Sequence, residues 1–126
     1  MAFAARLASE SDATLTLVHV IPWSPYSFTT PAENEHRSVS RTLELEAAQS
    51  QIISPALAAA SEFEVTPATE VVHGSSAEVL VSMAARLNGA HIIVGRTGDS
   101  KLKQVLFGST PAKLIQIAAT PVTVIP

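Results

Sequence analysis

The sequence predicts an α/β fold in which a mostly parallel sheet is covered by helices on both faces. Short β-branched runs alternate along the chain with segments whose apolar residues recur at helical spacing. The hydrophobic fraction is 47% and the charged fraction 15%, which favours a compact globule over a disordered chain. At 126 residues the chain is long enough for a sizeable core, so residues 1–126 are expected to form one domain.

In the first half of the chain the patterns predict two helices, one strand and a long loop. Residues 1–8 read as the last turns of a helix, and residues 14–20 as a strand. The proline-rich residues from 22 to about 37 are expected to form a loop. Residues 38–61 have a helical pattern that Pro55 should kink or split, because proline removes a helix hydrogen bond. The candidate inward positions of this helix are Leu43, Ala47, Ile52 and Leu57.

In the second half the same alternation continues. Residues 66–73 are predicted as a strand closed by Gly74, followed by a helix that Ser75 or Ser76 caps. That helix stops at Asn88-Gly89, and residues 92–94 form a buried strand. A helix from residue 109 to about 119 and a strand over 122–125 follow. The expected apolar stripe of the helix between Ser75 and Asn88 consists of Ala77, Leu80, Val81, Ala84 and Leu87.

The stretch from His91 to Thr110 has an order that suits a phosphate: strand, glycine turn, basic loop, glycine, helix start. Glycines just past a strand let backbone N–H groups approach an anion, and a helix start adds unpaired N–H groups. Residues 96–113 contain four basic residues and one acid, whereas the rest of the chain has four basic residues and ten acids. This local positive patch favours a small anion, the alternative being a solvated lysine-bearing loop.

The spacing Gly95-x2-Gly98-x9-Gly108-Ser109 resembles the nucleotide-binding motif of the universal stress protein family. It is neither a P-loop nor the dinucleotide-binding glycine pattern. Residues 13–22, 70–95 and 120–126 are similar to strands and a helix of that family, so the resemblance covers nearly the whole chain. It implies a Rossmann-like three-layer α/β/α sandwich of the adenine-nucleotide-binding, universal stress protein type, with strand order 3-2-1-4-5.

The resemblance also implies that the first strand is missing, because Met1 already falls inside the helix that follows it in the family. That strand lies in the middle of the family's sheet. An empty slot would leave the N–H and C=O groups of both neighbours unpaired, at about 1–3 kcal/mol for each buried group. We expect the natural protein to extend upstream; the alternatives are another chain in the slot or a different closure of the two half-sheets. The family's base-binding aspartate has no counterpart, and Asp12 cannot substitute for it.

By resemblance, the expected ligand is ATP, with Mg²⁺ only as a part of that ligand. Val20 would meet the adenine through its backbone, and core packing is the alternative role for this residue. The structural alternatives for the other residues are tight turns for the glycines and a helix cap for Ser109, which is compatible with phosphate binding. The residues implied at the ribose and phosphates are Gly95, Arg96, Gly98, Gly108, Ser109 and Thr110.

The leading functional prediction is an ATP-binding regulatory module of the stress response with weak or no turnover. The resemblance further implies a homodimer through antiparallel pairing of Val122–Ile125. The alternative is a family member that binds no nucleotide and acts as a protein-interaction or dimerisation module. A slow ATP hydrolase or phosphotransfer enzyme is a third candidate. It lacks an identifiable base near the glycine loop, although Ser109 and Thr110 could accept a phosphoryl group.

Composition argues against several other classes. The chain has no cysteine, which excludes disulfides, thiolate metal sites and cysteine nucleophiles. The four histidines are scattered, so no metal site is expected, and His19 is interpreted as a hydrogen-bonded core histidine. No apolar run approaches membrane-spanning length, no signal peptide is visible and nothing favours nucleic acid binding. A cytoplasmic protein is therefore expected.

Overall fold

The computed structural model describes residues 1–22, 41–96 and 109–126. The chain divides into two compact units, Met1–His73 and Gly74–Pro126. Each unit contains helices and one pair of parallel strands. The predicted α/β class and the parallel pairing of strands are therefore confirmed. The single domain and the missing central strand stay predictions.

The first unit contains helices and strands at slightly shifted bounds from those predicted. Helix α1 continues to Ser11 rather than ending at residue 8, because the residue that adopts the left-handed helix-ending conformation is Asp12, with φ 52°. The predicted second strand starts late, since Pro67 has no N–H group for the ladder. The elements are α1 (Ala2–Ser11), β1 (Thr16–Ile21), α2 (residues 41–48), α3 (Ser54–Ser61) and β2 (Ala68–His73).

A π-helical turn, Gln49–Ile53, splits the long predicted helix just before its proline. Pro55 is the second residue of α3, an early position at which its missing N–H group is tolerated. The N–H group of Ser54 bonds to the carbonyl of Gln49, five residues back, which is the wider π spacing. The predicted split is thus confirmed between residues 41 and 61, and residues 38–40 lie outside the described part.

The predicted inward face of this segment is wrong in two places. Leu43 and Ile52 are 59% and 41% exposed, while Ala47 and Leu57 are half-buried. The π turn inserts an additional residue into the repeat, so a stripe of period 3.6 cannot continue through it. Helix α1 packs against α3, where small side chains allow two helices to approach closely. The buried hydrophobic residues of this unit are Ala5, Ala8, Ala48, Ile53 and Ala60.

The second unit places two helices against one strand pair. Strands β3 and β4 are parallel, with Ile92 opposite Val122 and Gly95 opposite Ile125. Leu114 of α5 is fully buried in the cluster between helices and strands. The elements are α4 (Ser76–Arg86), β3 (Ile92–Gly95), α5 (Ser109–Ile117) and β4 (Val122–Ile125). The buried cluster consists of Ala77, Ala84, Ile92 and Leu114, with Leu80, Val81, Ala90, Val94 and Val122 packed against it.

Most of the predicted stripe on α4 is confirmed, but Leu87 is 45% exposed. The helix ends at Arg86, so Leu87 no longer has the helical direction that would bury it, and Met83 is buried instead. The predicted stop at Asn88 and Gly89 is confirmed by their positive φ angles of 61° and 79°.

Two helix ends of the second unit differ in detail from the sequence prediction. Ser75 occupies the N-cap position of α4, but its side chain makes no capping hydrogen bond. Its carbonyl accepts the N–H group of Val79 at 2.9 Å. Helix α5 ends at Ile117, two residues before the predicted end. Thr120 precedes Pro121, and a residue before proline is driven away from helical conformation.

Candidate nucleotide-binding site

The carboxyl ends of β3 and β4 lie side by side. The N–H group of Arg96 donates to the carbonyl of Ile125 at 2.7 Å, directly after the last residue of β3, Gly95. Ile92 makes the equivalent bond to Pro121 at 3.0 Å. Because alternate residues of a strand direct their backbone groups to opposite edges, the N–H and C=O groups of Gly95 point away from β4. Gly95 and Arg96 are both exposed at this strand end.

The start of α5 presents backbone donors. Ser109, the first residue of the helix, is exposed, and Thr110 is half-buried. The first N–H groups of an α-helix have no intrahelical partner, and their dipoles favour an anion. Pro111 has no N–H group, so the two consecutive donors at this end are Ser109 and Thr110. The first turn contains no acidic residue. The arrangement provides adjacent N–H groups and hydroxyls suited to phosphate oxygens.

The positive patch expected from the sequence is partly neutralised in the structure. The Lys113 ammonium lies 3.0 Å from Oε1 of Glu78, in the first turn of α4. Both side chains are exposed, at 47% and 66%. Arg96 is exposed, whereas Lys101 and Lys103 lie outside the described residues. Lys113 therefore cannot be counted simply as a free cation of the patch.

Val20 lies in the first unit, near the carboxyl end of β1, with its side chain half-buried. The N–H group of Ala68 donates to the carbonyl of Leu15 at 3.0 Å, in the register that pairs Thr16 with Ala68. By the same alternation, the N–H and C=O groups of Val20 point away from β2. The predicted backbone role and the alternative packing role thus involve different atoms of the residue.

The seven predicted site residues fall into three groups. Gly95, Arg96, Ser109 and Thr110 belong to the second unit, and Val20 to the first. Gly98 and Gly108 lie outside the described residues. In the second unit the buried cluster packs α5 against β3, the strand that ends at Gly95, directly before Arg96. The binding role of all seven residues stays a prediction.

The described histidines have individual environments. His19 is half-buried in β1, and burial lowers the pKa of its ring. Among the described residues no hydrogen bond to this ring is found. The hydrogen bond predicted for His19 as a core histidine is therefore not observed within the described part of the chain. His73 Nε2 lies 3.0 Å from Oε2 of Glu44, and His91 Nε2 lies 2.7 Å from the Thr123 hydroxyl.

The described residues contain neither a cluster of metal ligands nor a membrane-spanning helix. Within residues 1–22, 41–96 and 109–126, no three His, Asp or Glu side chains are grouped as metal ligands would be. In the same ranges, no helix has the length and apolar character needed to cross a membrane.

Sequence reasoning missed the acidic partners Glu44 and Glu78. Glu44 is 29 positions from His73, and Glu78 is 35 positions from Lys113. No local spacing relates residues so far apart, because the packing of helices and strands alone brings them together. These pairs can therefore be recognised from the folded structure but not from a local sequence pattern.

Comparison with known proteins gives a consistent family. The model of the universal stress protein family matches residues 1–126. A universal stress protein of Methanocaldococcus jannaschii is 30% identical over 122 residues, which cover 97% of this chain and 70% of that protein. A universal stress protein of Mycolicibacterium smegmatis is 32% identical over 131 residues, covering 98% of this chain but 42% of the relative.

Solved structures share the fold. Universal stress protein UspA from Lactobacillus plantarum is 25% identical with a TM-score of 0.76, covering 99% of this chain and 87% of that one. A universal stress protein from Archaeoglobus fulgidus has a TM-score of 0.70 at 18% identity, with coverages of 99% and 80%. At that identity the second likeness concerns the fold alone.

Proposed function

The chain belongs to the universal stress protein family, and from this premise we propose that it binds ATP and acts as a regulatory module of the stress response. In this proposal the phosphates bind at the start of α5 and at the motif residues that follow β3. The observation that carries the proposal is the pair of N–H donors at Ser109 and Thr110, in a helix turn without an acidic residue. Any Mg²⁺ is held by the phosphates of the ligand.

Three kinds of group support phosphate binding. The N–H groups of Ser109 and Thr110 lie at the positive end of the α5 dipole. Their hydroxyls add two further donors, and Arg96 adds a permanent positive charge at the end of β3. Gly98 and Gly108 complete the proposed set on the basis of the motif alone. These groups bind and orient the ligand, and no catalytic base is assigned to them.

The proposed adenine contact is the backbone of Val20. Its N–H and C=O groups share the β1 edge that faces away from β2, so one donor and one acceptor are presented together. Adenine carries an acceptor nitrogen beside its amino donor, which matches such a pair. We expect this contact to supply the preference for ATP over GTP.

The proposal includes a homodimer in the cytoplasm, where ATP is abundant. Thr123 and Ile125 of β4 direct their backbone groups to β3, since Arg96 bonds to Ile125 and the register alternates. The N–H groups of Val122 and Val124 therefore point to the opposite edge. A short β-branched strand with one such edge is suited to antiparallel pairing with a second copy.

Calorimetric titration of the purified chain with Mg-ATP and with Mg-GTP tests the proposal. We expect saturable binding of ATP and weaker binding of GTP. Absence of ATP binding would overturn the proposal and favour the non-nucleotide, protein-interaction alternative. Equal affinities would remove Val20 from a base-selective role while leaving the phosphate contacts in place.

A matched pair of variants locates the phosphates. Ser109 and Ser76 are the first residues of α5 and α4, respectively. Ser109→Ala removes one hydroxyl donor to a charged oxygen and should weaken ATP binding about tenfold. Ser76→Ala makes the same change at the other helix and should leave affinity as in the parent. Equal effects of both variants would contradict the assignment to α5.

A further inference from the structure

We propose that Lys113 is a phosphate-sensing residue. Its ammonium contacts Glu78 in the nucleotide-free protein and moves to contact a phosphate oxygen when ATP binds. The inference rests on the proposed phosphate site at the start of α5. It adds a specific positioning role for two residues that the glycine motif does not contain. The observation behind it is the ion pair between Lys113 and Glu78, with 3.0 Å between Nζ and Oε1.

The geometry places the Lys113 ammonium near the helix starts. Helices α4 and α5 each lead by a short connection into one of the parallel strands β3 and β4, so they run in the same direction. Lys113 is the fifth residue of α5, about 6 Å along the axis from Ser109. Helical side chains lean toward the N-terminus of their helix. Glu78, whose carboxylate contacts this ammonium, is the third residue of α4.

The charges favour transfer to a phosphate. The Lys113–Glu78 pair is exposed, at 47% and 66%, and an exposed pair of this kind is weakly held. The lysine stem is flexible and its ammonium carries three donors that can be reoriented. A triphosphate carries several negative charges, whereas Glu78 carries one. The competing phosphate also lies in the favourable field of the α5 start.

Glu78 does not depend on Lys113 for its own charge compensation. It lies in the first turn of α4, where the helix dipole stabilises a carboxylate. Removing the ammonium therefore leaves a carboxylate in a favourable position. Competition between Glu78 and the ligand for one ammonium should lower ATP affinity, so Glu78 sets the affinity while Lys113 supplies the contact.

Single and double substitutions test this competition by calorimetric titration with ATP, ADP and adenosine. Glu78→Gln frees the ammonium and should tighten ATP binding about threefold, the size of a weak surface pair. Lys113→Gln should weaken it about tenfold, the size of a charge-assisted bond. The double variant should bind like Lys113→Gln alone, because Glu78 acts through Lys113. Adenosine, which has no phosphate, should bind all variants equally.

Arg86→Gln is the matched control, because it removes one positive charge from the last turn of α4, at the opposite end of the helix. It should bind ATP as the parent does. If the parent binds ATP but Lys113→Gln behaves like Arg86→Gln, the inference is overturned and the proposed function stands. If Glu78→Gln tightens binding equally with and without Lys113, Glu78 acts by its field alone and the inference is overturned. A parent that binds no ATP overturns both.

Discussion

Glu78 and Lys113 join the early turns of α4 and α5 through a 3.0 Å contact between carboxylate and ammonium. Because both side chains are exposed, we expect Glu78→Gln to lower the free energy of unfolding by about 1 kcal/mol or less. Urea denaturation at low and high salt measures this, and the difference should shrink as salt screens the pair. A salt-independent loss above about 2 kcal/mol would show that Glu78 has a larger structural role.

The buried cluster of the second unit should depend strongly on Leu114. This side chain is fully buried, so Leu114→Ala leaves a cavity and should cost about 2–5 kcal/mol of unfolding free energy. Ile115, its neighbour on α5, is 63% exposed and provides the control. Ile115→Ala should change stability by about 0.5 kcal/mol or less in the same denaturation experiment. Similar losses for the two variants would contradict the orientation of α5.

The stability of the protein should decrease on mild acidification through His19. Burial lowers the pKa of His19 from 6.5, so the folded chain binds this proton less readily than the unfolded chain. Above the pKa that His19 has in the unfolded chain, neither state binds the proton and His19 does not change the stability. As the pH falls from there through the lower pKa of the folded chain, the unfolded chain binds the proton first and stability is lost. His19→Gln should therefore make the pH dependence of unfolding shallower as the pH falls below the unfolded pKa of 6.5.

Urea denaturation at a series of pH values measures this effect, with His91→Gln as the control. His91 is an exposed histidine, so this variant controls for the loss of an imidazole elsewhere in the chain. A parent-like slope in His19→Gln would show that another group causes the acid sensitivity.

The proposed dimer should respond to loss of one backbone donor. Val124→Pro removes an N–H group that points to the outer edge of β4, without removing a bond to β3. A charged residue is less suitable, because Val124 shares its strand face with Val122, which packs against the buried cluster. We expect sedimentation to show a shift from dimer to folded monomer. Val124→Thr retains the N–H group and should remain dimeric; a dimeric proline variant would remove this edge from the interface.

Local patterns in the sequence predicted the strands and their parallel pairing. The β-branched run Ile92-Ile93-Val94 and the strand Val122–Ile125 lie where they were predicted, because such residues suit a half-buried pleated surface. The stop at Asn88-Gly89 was also predictable, since these residue types readily adopt positive φ. The strands and the helix stop depend on neighbours in sequence, whereas the parallel pairing follows from the alternation of strands with helices.

The burial of the split helix could not be predicted in the same way. The sequence favoured large aliphatic residues such as Leu43 and Ile52, but alanines and Ile53 are buried. A π turn changes the phase of the helix, and its position depends on packing as well as on Pro55. For the candidate site, the end of β3 at Gly95 and the start of α5 at Ser109 follow from local sequence. The partner of Lys113 does not, because tertiary packing brings Glu78 to it.

Gly108→Val tests whether the glycine motif binds the phosphates of ATP. If the motif binds the phosphate as proposed, a valine side chain at this position competes with the phosphate for space. Calorimetric titration with Mg-ATP compares the parent, this variant and Ala119→Val, which also introduces a valine side chain, at an exposed residue beyond the other end of α5. Circular dichroism verifies that all three are folded. We predict that Gly108→Val loses ATP binding while Ala119→Val keeps the parental affinity. A folded Gly108→Val variant with parental affinity would contradict the account.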